Sequence, residues 1–252
     1  MTDGDRWALG KVALVTGGAT GLGKGCVERL AKRGANIAII YGHSKEKALQ
    51  LVKELEQNNT KAVAVQADVT DDEAVKKAVG EILTWSGNRL DILVNNAGVT
   101  RFIQMDHLDE VTRDAWDIIM NTNVLGTFQM TRACAEALKQ AHGAVVNVSS
   151  IAGLMGRGSS IPYAVSKGAL LTLTKAFARI LAPNVRVNAV APGVILTDWV
   201  AGQEEHIKLQ TANTLLGRPA EVEDVVDAIE GFLRFGNFVT GATLVVDGGF
   251  YL

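Results

Sequence analysis

The segment VALVTGGATGLG, from Val12 to Gly23, places a short apolar run directly before a glycine-rich turn. The apolar run predicts a buried strand, and an amphipathic stretch at 21–34 predicts a helix that starts within the turn. Glycines let the backbone approach a pyrophosphate, and a helix N-terminus offers unpaired N–H groups with a partial positive charge. The turn is therefore a candidate phosphate cradle, although a glycine turn that packs tightly without a ligand gives the same pattern. No Lys-Ser/Thr pair follows the glycines, which excludes a P-loop.

Outward from this turn, apolar runs rich in β-branched residues alternate with longer amphipathic stretches. Seven strands are predicted, at 12–15, 37–40, 62–65, 92–94, 144–148, 185–190 and 243–246. Helices are predicted at 21–34, 45–58, 71–86, 110–141 with a kink near Asn121, 161–181 and 220–233. Because the strand runs are nearly continuous, both faces of the sheet should be covered, as in parallel sheets. The pattern predicts a doubly wound, Rossmann-like α/β fold, with helices on both faces of a seven-stranded parallel sheet.

Length, charge and cysteine content exclude several classes of protein. The 252 residues suit a single dinucleotide-binding and catalytic domain over 1–252, with a substrate lid at 194–217 after the sixth strand. A net charge of -2 without a basic block argues against nucleic-acid binding. No apolar run suits a membrane span or a signal peptide, and Cys26 and Cys134 form no disulfide framework. We therefore expect a cytoplasmic protein that binds no membrane.

A tyrosine and a lysine lie four residues apart at the start of the predicted helix 161–181. At this spacing the side chains of Tyr163 and Lys167 project from one helix face. A nearby ammonium favours phenolate and would lower the phenol pKa from its usual value of about 10, which makes Tyr163 a candidate general acid/base. By itself the pattern also fits an ordinary helix face. Ser150, which follows the fifth strand, is likewise a candidate for the site or a simple turn former.

Taken in order, these motifs resemble the short-chain dehydrogenase/reductase family of the classical type, and within it ketoreductases similar to the 3-oxoacyl-carrier-protein reductases. The resemblance runs from about Lys11 to Gly249. It is carried by Thr16 to Gly23, Asn95 to Gly98, Asn123, Ser150, Tyr163 to Lys167, Pro192-Gly193 with Thr197, and Thr240-Gly241.

The resemblance implies hydride transfer between a nicotinamide cofactor and a ketone or secondary alcohol. It implies that Tyr163 is the general acid/base and that Ser150 orients the substrate oxygen. Lys167 would lower the tyrosine pKa and hold the nicotinamide ribose. Asn123 would support a proton-relay water, although spacing alone does not choose between Asn123 and Asn121.

The same resemblance implies cofactor contacts in several loops: Gly17, Thr20, Gly21, Leu22, Gly23, Tyr41, His43, Ser44, Asp68, Val69, Asn95, Ala97, Gly98, Tyr163, Lys167, Pro192, Gly193, Ile195 and Thr197. Tyr41 stands where an acid would accept the adenosine ribose hydroxyl of NAD. Without that acid, His43, Ser44 and Lys45 could hold a 2′-phosphate, so NADP(H) is preferred and NAD(H) is the alternative. Thr20 departs from the basic residue of many NADP-using members, and residues 43–45 also fit the start of a helix. Asp68 resembles an adenine contact, but Asp68 or Asp71 could instead cap the next helix.

On the substrate side the resemblance implies an apolar pocket formed by Phe102, Leu154, Met155, Ile161 and Trp199. Arg157 could meet a carboxylate or lie in solvent. Carrier-protein reductases commonly present arginines before strands five and six, where this chain reads Ala141-His142-Gly143 and Pro183-Asn184. We therefore expect a small ketone or alcohol as the substrate.

Several other possibilities remain open. A 3-oxoacyl-carrier-protein reductase and a sugar or polyol dehydrogenase are alternative enzymes, and a dinucleotide-sensing binding protein is the non-enzymatic alternative. The resemblance also implies a homotetramer that assembles through 110–141, 161–181 and the C-terminal segment. No metal is expected, because the four histidines are scattered.

Overall fold

The computed structural model describes residues 6–197, 202, 207–208 and 211–252. Its strands are β1 (Val12–Thr16), β2 (Asn36–Tyr41), β3 (Ala62–Gln66), β4 (Ile92–Asn95), β5 (Ala144–Val148), β6 (Arg186–Pro192) and β7 (Thr243–Val246). All are parallel, and they form one sheet in the order β3-β2-β1-β4-β5-β6-β7. The predicted doubly wound fold is confirmed.

The helices pack on both faces of this sheet. They are α1 (Gly21–Lys32), α2 (Lys45–Gln57), α3 (Asp72–Ser86), α4 (Arg113–Met120), α5 (Thr127–Gln140), α6 (Ala152–Met155), α7 (Ile161–Leu181) and α8 (Val222–Arg234). The predicted helix 110–141 is thus two helices, and a π-helical segment, Asn121–Gly126, joins them where the kink was expected. Its start was predicted too early, because 108–110 forms a separate 3₁₀ turn. Within the described ranges, no helix is both long and apolar enough to cross a bilayer.

Alternate residues of β1 face two separate layers of core. Val15 lies in one core cluster with residues of α1 and α8 such as Leu30 and Ile229, whereas Leu14 lies in another with residues of α3, α5 and α7. All five residues of β1 are buried. The continuous apolar runs follow from this double coverage, since neither face of the strand meets water.

The carboxyl ends of the central strands meet at one edge of the sheet. Val15 pairs with Val94, Asn95 with Asn147, and Val148 with Val190, so the loops after these strands are neighbours. The strand order reverses at β1, which is flanked by β2 and β4. Open α/β sheets bind ligands at such a switch point.

A buried ion cluster holds α1 against α8. Glu230 of α8 accepts hydrogen bonds from Arg29 at 2.8 Å and from Arg33 at 2.7 Å, and Trp7 Nε1 donates to it at 2.8 Å. The two guanidinium groups and the indole N–H lower the pKa of Glu230 to about 2, although its burial acts the other way. The cluster fixes the helix whose N-terminus borders the glycine turn.

Candidate active site

A cavity of about 1030 Å³ lies at the carboxyl edge of the sheet, over the switch point. Loops that follow β1 to β6 line it. The predicted cofactor contacts among its lining residues are Gly17, Thr20, Gly21, Leu22, His43, Ser44, Asp68, Val69, Ala97, Gly98, Tyr163, Lys167, Pro192, Gly193, Ile195 and Thr197. The fold therefore brings most of the predicted set to one cavity.

The glycine turn is tightly packed against α1 and β4. Gly17 has a φ of +63°, a left-handed conformation that favours glycine. A Cβ on Gly23 would lie 2.2 Å from the Gly17 carbonyl oxygen and 2.6 Å from Asn96 Nδ2. Asn96 Nδ2 also donates to the carbonyl oxygen of Thr16 at 3.0 Å and to that of Gly17 at 3.3 Å. These contacts set the path of the turn beside the N-terminus of α1.

Three of the predicted cofactor contacts lie behind the cavity wall rather than in it. Gly23 allows the close packing of the turn. Asn95 donates to Thr131 and Asn147, both at 2.9 Å, and so ties β4 to its neighbours. Tyr41 is buried in a small apolar cluster with Ala19 and Ala48 and is not among the lining residues. It shares a strand face with Ile37 and Ile39, and α1 and α2 cover that face.

The end of the cavity beyond β2 carries polar and cationic groups at the N-terminus of α2. Gly42, His43, Ser44 and Lys47 line it. Ser44 occupies the N-cap position but makes no capping hydrogen bond with its side chain, so capping does not use its hydroxyl. Lys45 does not line the cavity, whereas Lys47, two residues further along α2, does.

The structure distinguishes the two aspartates after β3. Asp71 caps α3, because its carboxylate accepts from the backbone N–H groups of Glu73 and Ala74. Asp68 instead accepts from the backbone and hydroxyl of Thr70, at 2.9 and 2.8 Å, and lines the cavity. Of these two aspartates, Asp68 lines the cavity and Asp71 does not.

The first turn of α7 carries the tyrosine and the lysine to the cavity. Ser160 caps the helix by accepting from the backbone N–H of Tyr163, and Pro162 favours the helical start. Lys167 Nζ donates to the Val148 carbonyl oxygen at 2.9 Å and lies 5.6 Å from the centre of the Tyr163 ring. Ser149 Oγ donates to the Lys167 carbonyl oxygen at 2.7 Å. These bonds join α7 to the end of β5.

The Ser150 hydroxyl donates to the Pro192 carbonyl oxygen at 3.4 Å and accepts from the Ala152 N–H at 3.1 Å. Burial raises the pKa of Tyr163 to about 12, and the neighbouring Ser150 hydroxyl opposes that rise. Burial also lowers the pKa of Lys167 to about 8. The expected lowering of the tyrosine pKa by the ammonium is therefore not the dominant effect in this structure, where desolvation has the larger influence on both groups. The phenol is protonated at neutral pH.

Asn123 lies in the π-helical segment and is fully buried. Its Nδ2 donates to the Val99 carbonyl oxygen and to Ser166 Oγ, both at 3.0 Å, and its Oδ1 accepts from the Val99 N–H at 2.8 Å. The side chain thus braces the loop after β4 against α7 and does not line the cavity. Asn121 and Thr122 line it instead.

The substrate side agrees only partly with the sequence prediction. Phe102, Met155 and Arg157 line the cavity, whereas Leu154 and Ile161 do not. Trp199 lies outside the described residues, as do several positions of the predicted lid.

Some lining residues were missed from the sequence. They are mainly Lys47, Asp117, Ile118, Thr122 and Phe250. Helical spacing from Ser44 could have indicated Lys47. No local signal indicates Phe250, because the tail reaches the cavity through the fold.

The chain's own groups suit a dinucleotide. The cavity is large enough for one, its glycine turn sits at a helix N-terminus, and hydroxyl and cationic groups lie at its far end. Tyr163 and Lys167 lie in the same cavity.

Comparisons with known proteins agree with this geometry. The family model described as short chain dehydrogenase matches residues 11–208. A Streptomyces violaceoruber protein assigned to the granaticin polyketide synthase as its ketoacyl reductase 2 is 41% identical over 96% of both chains. The 3-oxoacyl-acyl-carrier-protein reductase of Staphylococcus aureus is 36% identical over 96% of this chain and 98% of that protein. A short-chain dehydrogenase of Burkholderia cenocepacia, solved with NADP, superposes with a TM-score of 0.90 at 35% identity over 97% of this chain and 99% of the other.

Proposed function

This chain belongs to the short-chain dehydrogenase family and is an oxidoreductase that uses a nicotinamide cofactor, and from that membership we propose that it reduces a small ketone to a secondary alcohol with NADPH. The observation that carries the proposal is the meeting of Ser150, Tyr163 and Lys167 in one cavity with the glycine turn.

The reaction needs a hydride at the carbonyl carbon and a proton at the carbonyl oxygen. The nicotinamide cofactor supplies the hydride. In our proposal Tyr163 donates the proton, and Ser150, which lines the same cavity, orients the carbonyl oxygen. Lys167 holds the cofactor ribose and stabilises the phenolate left after proton donation. Asn123 is a positioning residue, because it braces the loop at Val99 against α7.

The protonation state of the phenol favours reduction. A pKa of about 12 keeps Tyr163 protonated at neutral pH, as a proton donor requires. Oxidation of an alcohol needs the opposite, a phenolate that accepts a proton. A protonated phenol therefore suits ketone reduction at neutral pH, and we expect the rate of alcohol oxidation to increase as the pH rises.

Tyr163→Phe tests this role. It should keep cofactor affinity within about twofold and reduce kcat by about a hundredfold or more, because only the transferable proton is lost. Tyr251→Phe is the matched control, since Tyr251 is exposed and outside the cavity lining. Ketone reduction at the wild-type rate by Tyr163→Phe would exclude Tyr163 as the acid.

The preference for NADPH is supported by the groups at the N-terminus of α2. His43, Ser44 and Lys47 line the cavity there, and β2 ends in Tyr41 rather than in a carboxylate that would repel a 2′-phosphate. A metagenomic blue fluorescent protein solved with NADPH is also similar, with a TM-score of 0.88 at 38% identity over 96% of this chain and 98% of the other.

Two variants of α2 test cofactor choice by fluorescence titration. Lys47→Gln should raise the Kd of NADPH by about tenfold and leave that of NADH nearly unchanged, since only NADPH carries the 2′-phosphate. Lys45→Gln removes the same charge from an exposed position outside the lining and should change neither. Tighter binding of NADH than of NADPH by the wild type would overturn the preference.

A second candidate substrate is a 3-oxoacyl thioester on a carrier protein, which the names of the relatives favour. Acetoacetyl thioesters of coenzyme A and of a carrier protein distinguish the two proposals. A much higher kcat/KM on the carrier protein would favour the second.

We further propose a cytoplasmic homotetramer with a substrate lid over 194–217. Val165 and Ile180 of α7 and Leu244 of β7 are exposed apolar side chains that a partner chain would cover. The two buried free thiols suit a reducing compartment. Light scattering that shows a monomer would exclude the tetramer.

A further inference from the structure

Arg157 is an exposed cation in the cavity wall, next to the proposed proton donor. It follows Gly156, which ends α6 in the left-handed conformation at a φ of +64°. Gly158 comes next and lies against the tyrosine, because a Cβ built there would be 3.6 Å from Tyr163 Cδ1. The backbone of Arg157 is therefore next to the residue that lies against the Tyr163 ring.

No acidic side chain in the described part of the cavity wall neutralises Arg157. The two carboxylates among those lining residues are Asp68 and Asp117. Asp68 accepts from Thr70, and Asp117 forms an ion pair with Arg113 at 2.8 Å. The Arg157 guanidinium is thus available to a ligand or to water.

The surroundings of Arg157 combine an apolar surface with a fixed loop. Phe102 and Met155 also line the cavity. The loop of Phe102 is tied to the loop of Arg157, because Ile103 N donates to the Ser159 carbonyl oxygen at 2.8 Å and the hydroxyls of Thr100 and Ser159 lie 2.5 Å apart. A ligand here meets apolar side chains and one cation with two parallel donor groups.

Building on the proposed ketone reduction, we propose that Arg157 selects substrates that carry a carboxylate in addition to the ketone. The guanidinium binds the carboxylate in a two-point contact, and the apolar side chains cover the carbon chain between it and the carbonyl. Arg157 is then a specificity-determining residue of the same site, and the substrate class is a keto acid.

Matched acid and ester substrates test this inference. With NADPH, kcat/KM is measured for acetoacetate and 4-oxopentanoate and for their methyl esters, so that each pair differs in one charge and the two pairs differ in chain length. The wild type should prefer at least one acid to its ester by about tenfold or more. Arg157→Gln should reduce kcat/KM for that acid by about tenfold to a hundredfold, mainly through KM, and leave the ester within twofold.

Arg101→Gln is the matched control. Arg101 is exposed on the neighbouring loop and lies outside the cavity lining, so its variant removes the same charge without the contact and should retain the preference. Equal turnover of acid and ester by the wild type, or equal losses in both arginine variants, would overturn the role of Arg157 but leave ketone reduction in place. Failure of the wild type to reduce any of the four ketones with either NADPH or NADH would instead contradict the proposed function, and the inference with it.

Discussion

Gly23→Ala should abolish the cofactor cradle by adding one methyl group to the glycine turn. The new Cβ would lie 2.2 Å from the Gly17 carbonyl oxygen, more than an ångström inside ordinary van der Waals contact. The clashing oxygen belongs to the backbone, so no side-chain rotation moves it away. The added Cβ would also lie 2.6 Å from Asn96 Nδ2. Overpacking of this kind costs about 1 to 3 kcal/mol of stability.

Cofactor binding should suffer more than stability does. The turn must move by about 1 Å to relieve the contact, and backbone N–H groups that bind a pyrophosphate cannot keep their geometry through such a shift. We expect a loss of at least about tenfold in NADPH affinity by fluorescence titration, together with a lower free energy of unfolding in urea.

Gly80→Ala provides a control with the opposite sign. Gly80 lies inside α3, and a Cβ there meets nothing within 4 Å. The same chemical change should therefore raise the free energy of unfolding by about 0.5 to 1 kcal/mol and leave cofactor affinity unchanged. Wild-type NADPH affinity in Gly23→Ala would refute the assignment of this turn as the cradle.

Two further predictions concern buried charge, and urea unfolding measures both. Burial lowers the pKa of Lys167 to about 8, so between that pH and the ordinary value of 10.5 the unfolded chain binds more protons than the folded one. Without cofactor, Lys167→Met should therefore have a free energy of unfolding about 3 kcal/mol higher than that of the wild type at neutral pH. This difference in stability should shrink as the pH rises to 10.5. A difference that does not change with pH would contradict this prediction. Glu230→Ala leaves Arg29 and Arg33 without their carboxylate partner and should lower the free energy of unfolding by about 3 kcal/mol. As a control, Lys24→Ala breaks an exposed ion pair of 3.6 Å and should change the free energy of unfolding by less than about 0.5 kcal/mol. The Glu230 contribution should disappear as the pH falls from 4.5 toward 2, because its folded pKa is the lower one.

The sequence predicted the sheet well because burial on both faces leaves a strong pattern. All seven strands were placed, and the polar residues at their carboxyl ends largely reach one cavity. The position of the Tyr41 side chain differs from the expectation. It was assigned from its distance along the chain, whereas the two-residue period of β2 turns its side chain into the apolar layer.

Contacts between distant parts of the chain were harder to predict. Nothing near Phe250 indicates that the tail reaches the cavity, and helical periodicity alone could not show that 121–126 would be π-helical. The charge states were also inaccessible. The distance between Tyr163 and Lys167 along a helix suggested mutual stabilisation, but the depth of both groups controls their pKa values in the folded chain.

The π-helical segment Asn121–Gly126 has an evolutionary consequence. Such a segment is commonly one residue longer than the α-helical turn it replaces, so losing a single codon there would restore regular winding while α4 and α5 kept their packing faces. The same deletion would displace the side-chain amide of Asn123, which hydrogen-bonds the Val99 backbone. Such a deletion would leave the sheet and its helices in place while removing the contact between this amide and the loop after β4.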